Sequence, residues 1–185
     1  MKIITLYSSD EALIKKALHN DSKAEQALYD RYAGRMLGVC RNYIGDLHYA
    51  EDVMVQGFTK VFDNLAKFRN DGSFEGWIRR IMIREAINFL RSRRQLQFID
   101  IEEKETSAIR SPEPDYDIEM LQMLIDNLPN GYKTVLVMFA VEGYNHKEIA
   151  EMLDISESTS KSQLFKARRL LQEQFNKKSR KDGTL

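Results

Sequence analysis

Residues 111–115 read Ser-Pro-Glu-Pro-Asp and hold two of the three prolines in the chain. This segment limits the fold more than any other. Proline has no amide proton and a fixed φ, so a packed helix does not run through two of them spaced this closely. The surroundings add to the effect. Between 99 and 119 stand Asp100, Glu102, Glu103, Glu105, Glu113, Asp115, Asp117 and Glu119, against only Lys104 and Arg110. Apolar side chains are scarce from 102 to 115, and like charges oppose compaction. The chain is therefore expected to be cut in two by an acidic, flexible linker over 98–116.

Elsewhere apolar residues recur with helical period, and no long stretch alternates as a half-buried strand does. A chain of 185 residues can form one domain or two small ones. The expected fold is all-α: a helical domain over 1–97, the linker, a smaller helical domain over 117–178, and a tail at 179–185.

Charge excludes little in total, since 28 Lys and Arg balance 28 Asp and Glu. Its placement is more informative. Residues 161–181 hold Lys161, Lys166, Arg168, Arg169, Lys177, Lys178, Arg180 and Lys181 against Glu173 alone. Nucleic acid is the first partner to expect of such a segment. A lone Cys40 rules out a disulfide framework and a thiolate metal cluster, so no cofactor is expected. No apolar run reaches the ~20 residues of a membrane span. A soluble, cytoplasmic protein with no membrane insertion is expected.

Residues 73–94 contain six arginines, two acidic residues and the only tryptophan. On a helix, Trp77, Arg80, Arg84, Asn88 and Arg91 fall within one stripe roughly 80° wide. Ile78, Met82, Ile83, Ala86, Phe89 and Leu90 form the core-facing arc, which also takes in Arg79 as an exception. Arginines can hold phosphates while an indole stacks an unpaired base. The plainer reading is a solvated basic face with Trp77 half-buried at its edge.

The segment 145–171 is more specific. Asn145 and Glu148 have capping-box spacing, and the short helix they open would bury Ile149, Ala150, Met152 and Leu153. "DIS" turns the chain, and Ser156 caps a second helix. There Ser160, Leu164, Ala167 and Leu171 share one side, and Ser158, Ser162, Lys166 and Arg169 the other, with Gln163 and Phe165 flanking. This is a helix-turn-helix whose outward hydroxyl, amide and cationic groups suit a major groove. An ordinary helical hairpin is the alternative, but an outward Phe165 among cations gains little in water.

These motifs, with "AEDVMVQGFTKVFDNLAKF", "FRNDGSFEGWIRRI" and "LPNGYKTVLVMFAVEGYNHKEIAEMLDISESTSKSQLFKARRLL", resemble the extracytoplasmic-function sigma factors of the sigma-70 family, in order and spacing, over roughly 8–175. The resemblance implies a protein that binds core RNA polymerase, recognises promoter DNA and helps to melt it. It implies polymerase contacts at or near Asp52, Gln56, Phe58, Lys60 and Asp63. The helical count buries Phe58 with Met54, Val61, Phe62 and Leu65, and turns Val53 outward. For the −10 element and melting it implies Asn70, Asp71, Gly72, Ser73, Trp77, Arg80, Arg84, Asn88 and Arg91. For the −35 element it implies Ser158, Thr159, Lys161, Ser162, Gln163, Phe165, Lys166, Arg168 and Arg169. An anti-sigma factor is a further expected partner. Arg84 stands where many members have asparagine, Ser158 and Ser160 where glycine and valine are usual, and Gln163 where arginine is frequent. These departures bear on which sequences are read. The acidic linker is either a solvated tether or a mimic of nucleic-acid phosphates in the polymerase channel.

Two other functions compete. A helix-turn-helix regulator that never touches polymerase would need a sensor or dimer interface, and no heptad seam offers one. An enzyme would need a catalytic constellation. His19, His48 and His146 are scattered, and no nucleophile motif, Cys/His cluster or phosphate loop accompanies them.

Overall fold

The computed structural model describes residues 9–93, 96, 98 and 118–182, with side chains to Phe175, and from Met120 in the second stretch. The acidic segment 99–117 lies outside the described residues. Within them every regular element is helical, and the chain divides into two compact units, Met1–Phe89 and Leu90–Leu185.

The first unit contains α1 (Asp10–Ala17), α2 (Ser22–Tyr43), α3 (Leu47–Asp63), a 3-10 turn (Leu65–Lys67) and all but the last turn of α4 (Phe74–Ser92). Each start is set by a short polar side chain that accepts an otherwise orphaned amide. Ser9 accepts from Ala12, Asp21 from Lys23 and Ala24, Asp46 from Tyr49, and Ser73 from Gly76. Leu28, Met36, Cys40, Val61, Ile78, Met82 and Ile83 are fully buried between the helices. Burial of each large apolar side chain contributes about 1.5–3 kcal/mol against exposure. It also pushes the Cys40 thiol pKa up to about 12.

The core stripe of α3 is wider than the sequence suggests. Met54, Phe58, Val61 and Leu65 are buried and Phe62 half-buried, as expected, but Val53 is buried too. The reason is that α3 packs on two neighbours. One side meets α2, while Gly57 meets α4 so closely that a Cβ there would stand 2.3 Å from Met82 Sδ. The row Ala50, Val53, Gly57 therefore lies inward as well.

The second unit contains α5 (Ile118–Asp126), α6 (Asn130–Ala140), α7 (His146–Leu153) and α8 (Glu157–Asp182). Pro129 opens α6 with its φ already near the helical value, −52°. From Gly131 to Met138 α6 is buried on all sides. Lys133 is only 2% exposed, and its Nζ lies 2.5 Å from Asp126 Oδ1. Asn145 and Glu148 form the capping box in both directions, at 3.0 and 2.8 Å. Asp154 ends α7 with φ +56°, a left-handed conformation that Asp tolerates better than most residues. Ser156 Oγ then accepts from Thr159 N at 3.0 Å and starts α8. That helix continues to Asp182, into the segment expected to be a tail.

Candidate nucleic-acid interface

Between the 3-10 turn and α4 the chain turns through Asn70, whose φ is +60°. Asn70, Asp71, Gly72 and Ser73 are exposed. Ser73 caps α4 with both its oxygens: Oγ accepts from Gly76 N at 3.0 Å and its carbonyl from Trp77 N at 3.2 Å. The expected loop hydroxyl is thus committed as an acceptor to the helix it precedes.

Behind the loop lies an aromatic floor. The Phe74 and Trp77 rings stack with centroids 5.8 Å apart, and Phe68 packs on both, at 5.2 and 5.5 Å. The half-exposed indole faces a pocket of about 290 Å³, lined by Lys67, Phe68, Arg69, Asp71, Gly72, Ser73, Gly76, Trp77 and Arg80. Arg80, Arg84, Asn88 and Arg91 are all exposed, while Arg79 is half-buried. A flat wall, a carboxylate and cations at one opening suit an unpaired base and its phosphates. Sequence reasoning missed Lys67, Phe68, Arg69 and Gly76 as lining. The spacing of Phe74 and Trp77, one helical turn apart, was the available signal for the stacked floor.

On α8, Ser158, Lys161, Ser162, Phe165, Arg168 and Arg169 are exposed, and Thr159 and Lys166 are half-buried. Phe165 is 68% exposed. The hydroxyls of Ser158 and Thr159 lie 2.7 and 2.8 Å from Ser156 Oγ, and that of Ser162 donates to the Thr159 carbonyl at 3.0 Å. Lys161 pairs with Glu157 at 3.5 Å and Arg169 with Glu173 at 3.4 Å. Such exposed i,i+4 pairs stabilise a helix by only ~0.2–0.5 kcal/mol. A phosphate can readily replace the carboxylate.

The face is held from behind. His146 Nδ1 lies 2.9 Å from Ser160 Oγ, its ring stacks on Phe139 at 4.8 Å, and the Arg168 guanidinium covers Phe139 at 5.6 Å. Half-buried His146 therefore ties α6, α7 and α8 together. One expected contact fails. Gln163 is 1% exposed, because it stands three residues after Ser160 and four before Ala167 on the inward row. Its Oε1 finds no hydrogen-bond partner among the described residues. Gln163 is not part of the outer face.

On α3, Asp52, Gln56, Lys60 and Asp63 are exposed, together with Val55. Lys60 reaches α4, where its Nζ lies 2.6 Å from Glu85 Oε2. Phe58 does not belong to this face. It is 3% exposed and packs its ring 4.7 Å from that of Tyr29, so it supports the helix from the core side.

Among the described residues no cluster of three or more His, Cys, Asp or Glu could hold a metal ion. No described helix is long and apolar enough to cross a membrane.

The family model described as Sigma-70 region 2 matches residues 28–95, and that described as Sigma-70, region 4 matches residues 118–171. The two matches together span more than half the chain. The ECF RNA polymerase sigma-E factor of Haemophilus influenzae is 28% identical over 178 residues, which cover 89% of this chain and 94% of that one. The ECF RNA polymerase sigma factor SigW of Bacillus subtilis is 26% identical over 183 residues, covering 89% and 98%. The chain belongs to the sigma-70 family, as an ECF sigma factor. The region 2 match takes in the aromatic pocket and the α3 face, and the region 4 match takes in the helix-turn-helix. Solved structures share the fold. CnrH in complex with the cytosolic domain of CnrY aligns with a TM-score of 0.52 at 18% identity, covering 91% of this chain and 98% of that one. RpoE in complex with the anti-sigma factor NepR from Bartonella quintana gives 0.55 at 16% identity, over 82% and 96%.

Proposed function

We propose that this ECF sigma factor binds core RNA polymerase in the cytoplasm and directs it to promoters by reading two DNA elements. Residues 1–97 act on the −10 element, 117–178 on the −35 element, and 98–116 join them. The observation that carries the reading is the presence on one chain, in family order, of a region 2 match with an aromatic pocket and a region 4 match with an outward-facing second helix.

In this mechanism Ser158, Lys161, Ser162, Phe165, Lys166, Arg168 and Arg169, with Thr159 at the helix start, dock the duplex. Phosphate contacts fix register and side chains that reach base edges specify sequence. At the −10 element a base leaves the stack and enters the pocket, at a cost of a few kcal/mol. Trp77 and the 70–73 loop offset that cost, while Arg80, Arg84, Asn88 and Arg91 follow the backbone. Asp52, Gln56, Lys60 and Asp63 face the polymerase. The sigma factor supplies recognition and melting, and the nucleotide chemistry belongs to the polymerase. An anti-sigma factor is the proposed restraint, a kind of partner with which RpoE of the same fold has been solved.

Core polymerase plus this chain alone, given genomic DNA, is expected to start transcripts at defined positions, mapped by sequencing their 5′ ends. Absence of such starts, with no co-purification of the chain and core enzyme, would leave only a plain DNA-binding regulator.

A further inference from the structure

The pocket floor is braced by residues outside the pocket. Phe74, first residue of α4, meets Tyr32 of α2 edge-on, with centroids 5.7 Å apart and planes at 73°. Tyr32 is fixed in turn. Its hydroxyl donates to Asp10, whose other oxygen takes Arg31, and burial with that bond pushes its pKa up to about 12. The Arg35 guanidinium lies over the Tyr32 ring, 4.9 Å from its centroid. The same guanidinium donates to Glu75 Oε2 at 2.5 Å and to the Arg31 carbonyl at 3.5 Å. Glu75 sits between Phe74 and Gly76 in the first turn of α4. An aromatic path and an ionic path therefore run from α2 to the same turn, and Trp77 follows directly.

We propose that Arg35 and Glu75 are positioning residues for the base pocket: their ion pair clamps the first turn of α4 against α2, so that Phe74 and Trp77 stand ready for an unpaired base. The proposal rests on reading the pocket as the seat of a base extracted from the −10 strand. Neither charged side chain lines the pocket. Helix ends fray because their first amides have no partner within the helix. A stacking surface that must be ordered during binding returns less affinity than one already in place. The pair is partly exposed, with side chains 53% and 33% accessible, so it adds little to overall stability. Its loss is felt at the pocket and hardly in the melting temperature.

The test uses holoenzyme assembled from core polymerase and the full chain. The probes are single strands of a mapped promoter's non-template −10 region, each with one abasic site at a successive position. With the wild-type chain, removing one particular base is expected to weaken binding about tenfold, the scale of one stacked base. With Arg35→Glu or Glu75→Arg, the intact strand binds about fivefold to tenfold more weakly, and the penalty at that position falls to about twofold or below. Penalties at other positions persist, core binding is unchanged, and the double swap Arg35→Glu/Glu75→Arg restores the wild-type pattern. A general loss of structure would scale all positions alike. If the single variants keep the full position-specific penalty, the proposal is wrong. If the wild-type chain shows no such position, the base-pocket reading itself fails before any variant is tried, and the proposal falls with it. Where Arg35→Glu does not fold, Arg35→Gln removes the charge without adding repulsion and is read by the same two outcomes.

Discussion

On the proposed reading, the aromatic pocket of the first unit and the outer face of α8 in the second are opposite solutions to holding nucleic acid. The pocket is concave. Its rings are locked by one another, and the loop beside them supplies the turn at Asn70 and the side-chain cap at Ser73. The α8 face is convex, and its hydroxyls and cations are held by local hydrogen bonds and i,i+4 pairs that exchange easily. A base taken from the stack needs a rigid receptacle, because its lost stacking has to be replaced at once. A groove already formed needs adaptable donors on a firm rod. Rigidity is thus local in the first unit, whereas in the second it lies behind the face, in the Phe139–His146–Ser160 bridge and buried α6.

That contrast can be broken at its foundations first. Asp126→Ala leaves the Lys133 ammonium buried without the carboxylate it pairs with, and is expected to cost the second unit about 3–5 kcal/mol in chemical denaturation. Lys133→Met is expected to change stability far less, since an apolar chain of similar shape replaces the buried charge. A mild Asp126→Ala effect would mean that the rod does not depend on this pair. Next in size, Trp77→Ala should weaken binding to a pre-melted −10 strand by about 1–3 kcal/mol and leave −35 duplex binding unchanged in a mobility-shift titration. A smaller effect, about 1 kcal/mol, is expected for Phe165→Ala on the −35 duplex alone. Equal losses on both DNAs from either variant would erase the distinction between the two surfaces. Least of all, Gln163→Met should leave the −35 sequence preference unaltered and change stability by less than about 1 kcal/mol. A shifted preference, measured by selection from randomised duplexes, would return Gln163 to the reading face.

Much of this was legible in the sequence. Two helix starts of the second unit were plain, and Asn145, Glu148 and Ser156 behave as their spacing suggests. The basic stripe of α4 was equally plain, because one helical period fixes which side chains share a side. What failed was the width of each buried arc. Val53 and Gln163 lie at the margins of their arcs, and a helix wedged between two neighbours buries more than the half that a wheel assigns to the core. The pocket floor was only half visible. Trp77 announces itself, but Phe68 comes from a 3-10 turn, and Tyr32 and Arg35 come from a helix some forty residues away. No periodicity within a single segment encodes such meetings.

The inward row of α8, Ser160, Gln163, Leu164 and Ala167, is insulated from the outward row of 158, 161, 162, 165 and 169. The outer set can therefore be exchanged as a cassette while the hidden set is kept. On the proposed reading, a library varied only at those five places yields orthogonal switches that fire separate gene circuits from one unchanged scaffold.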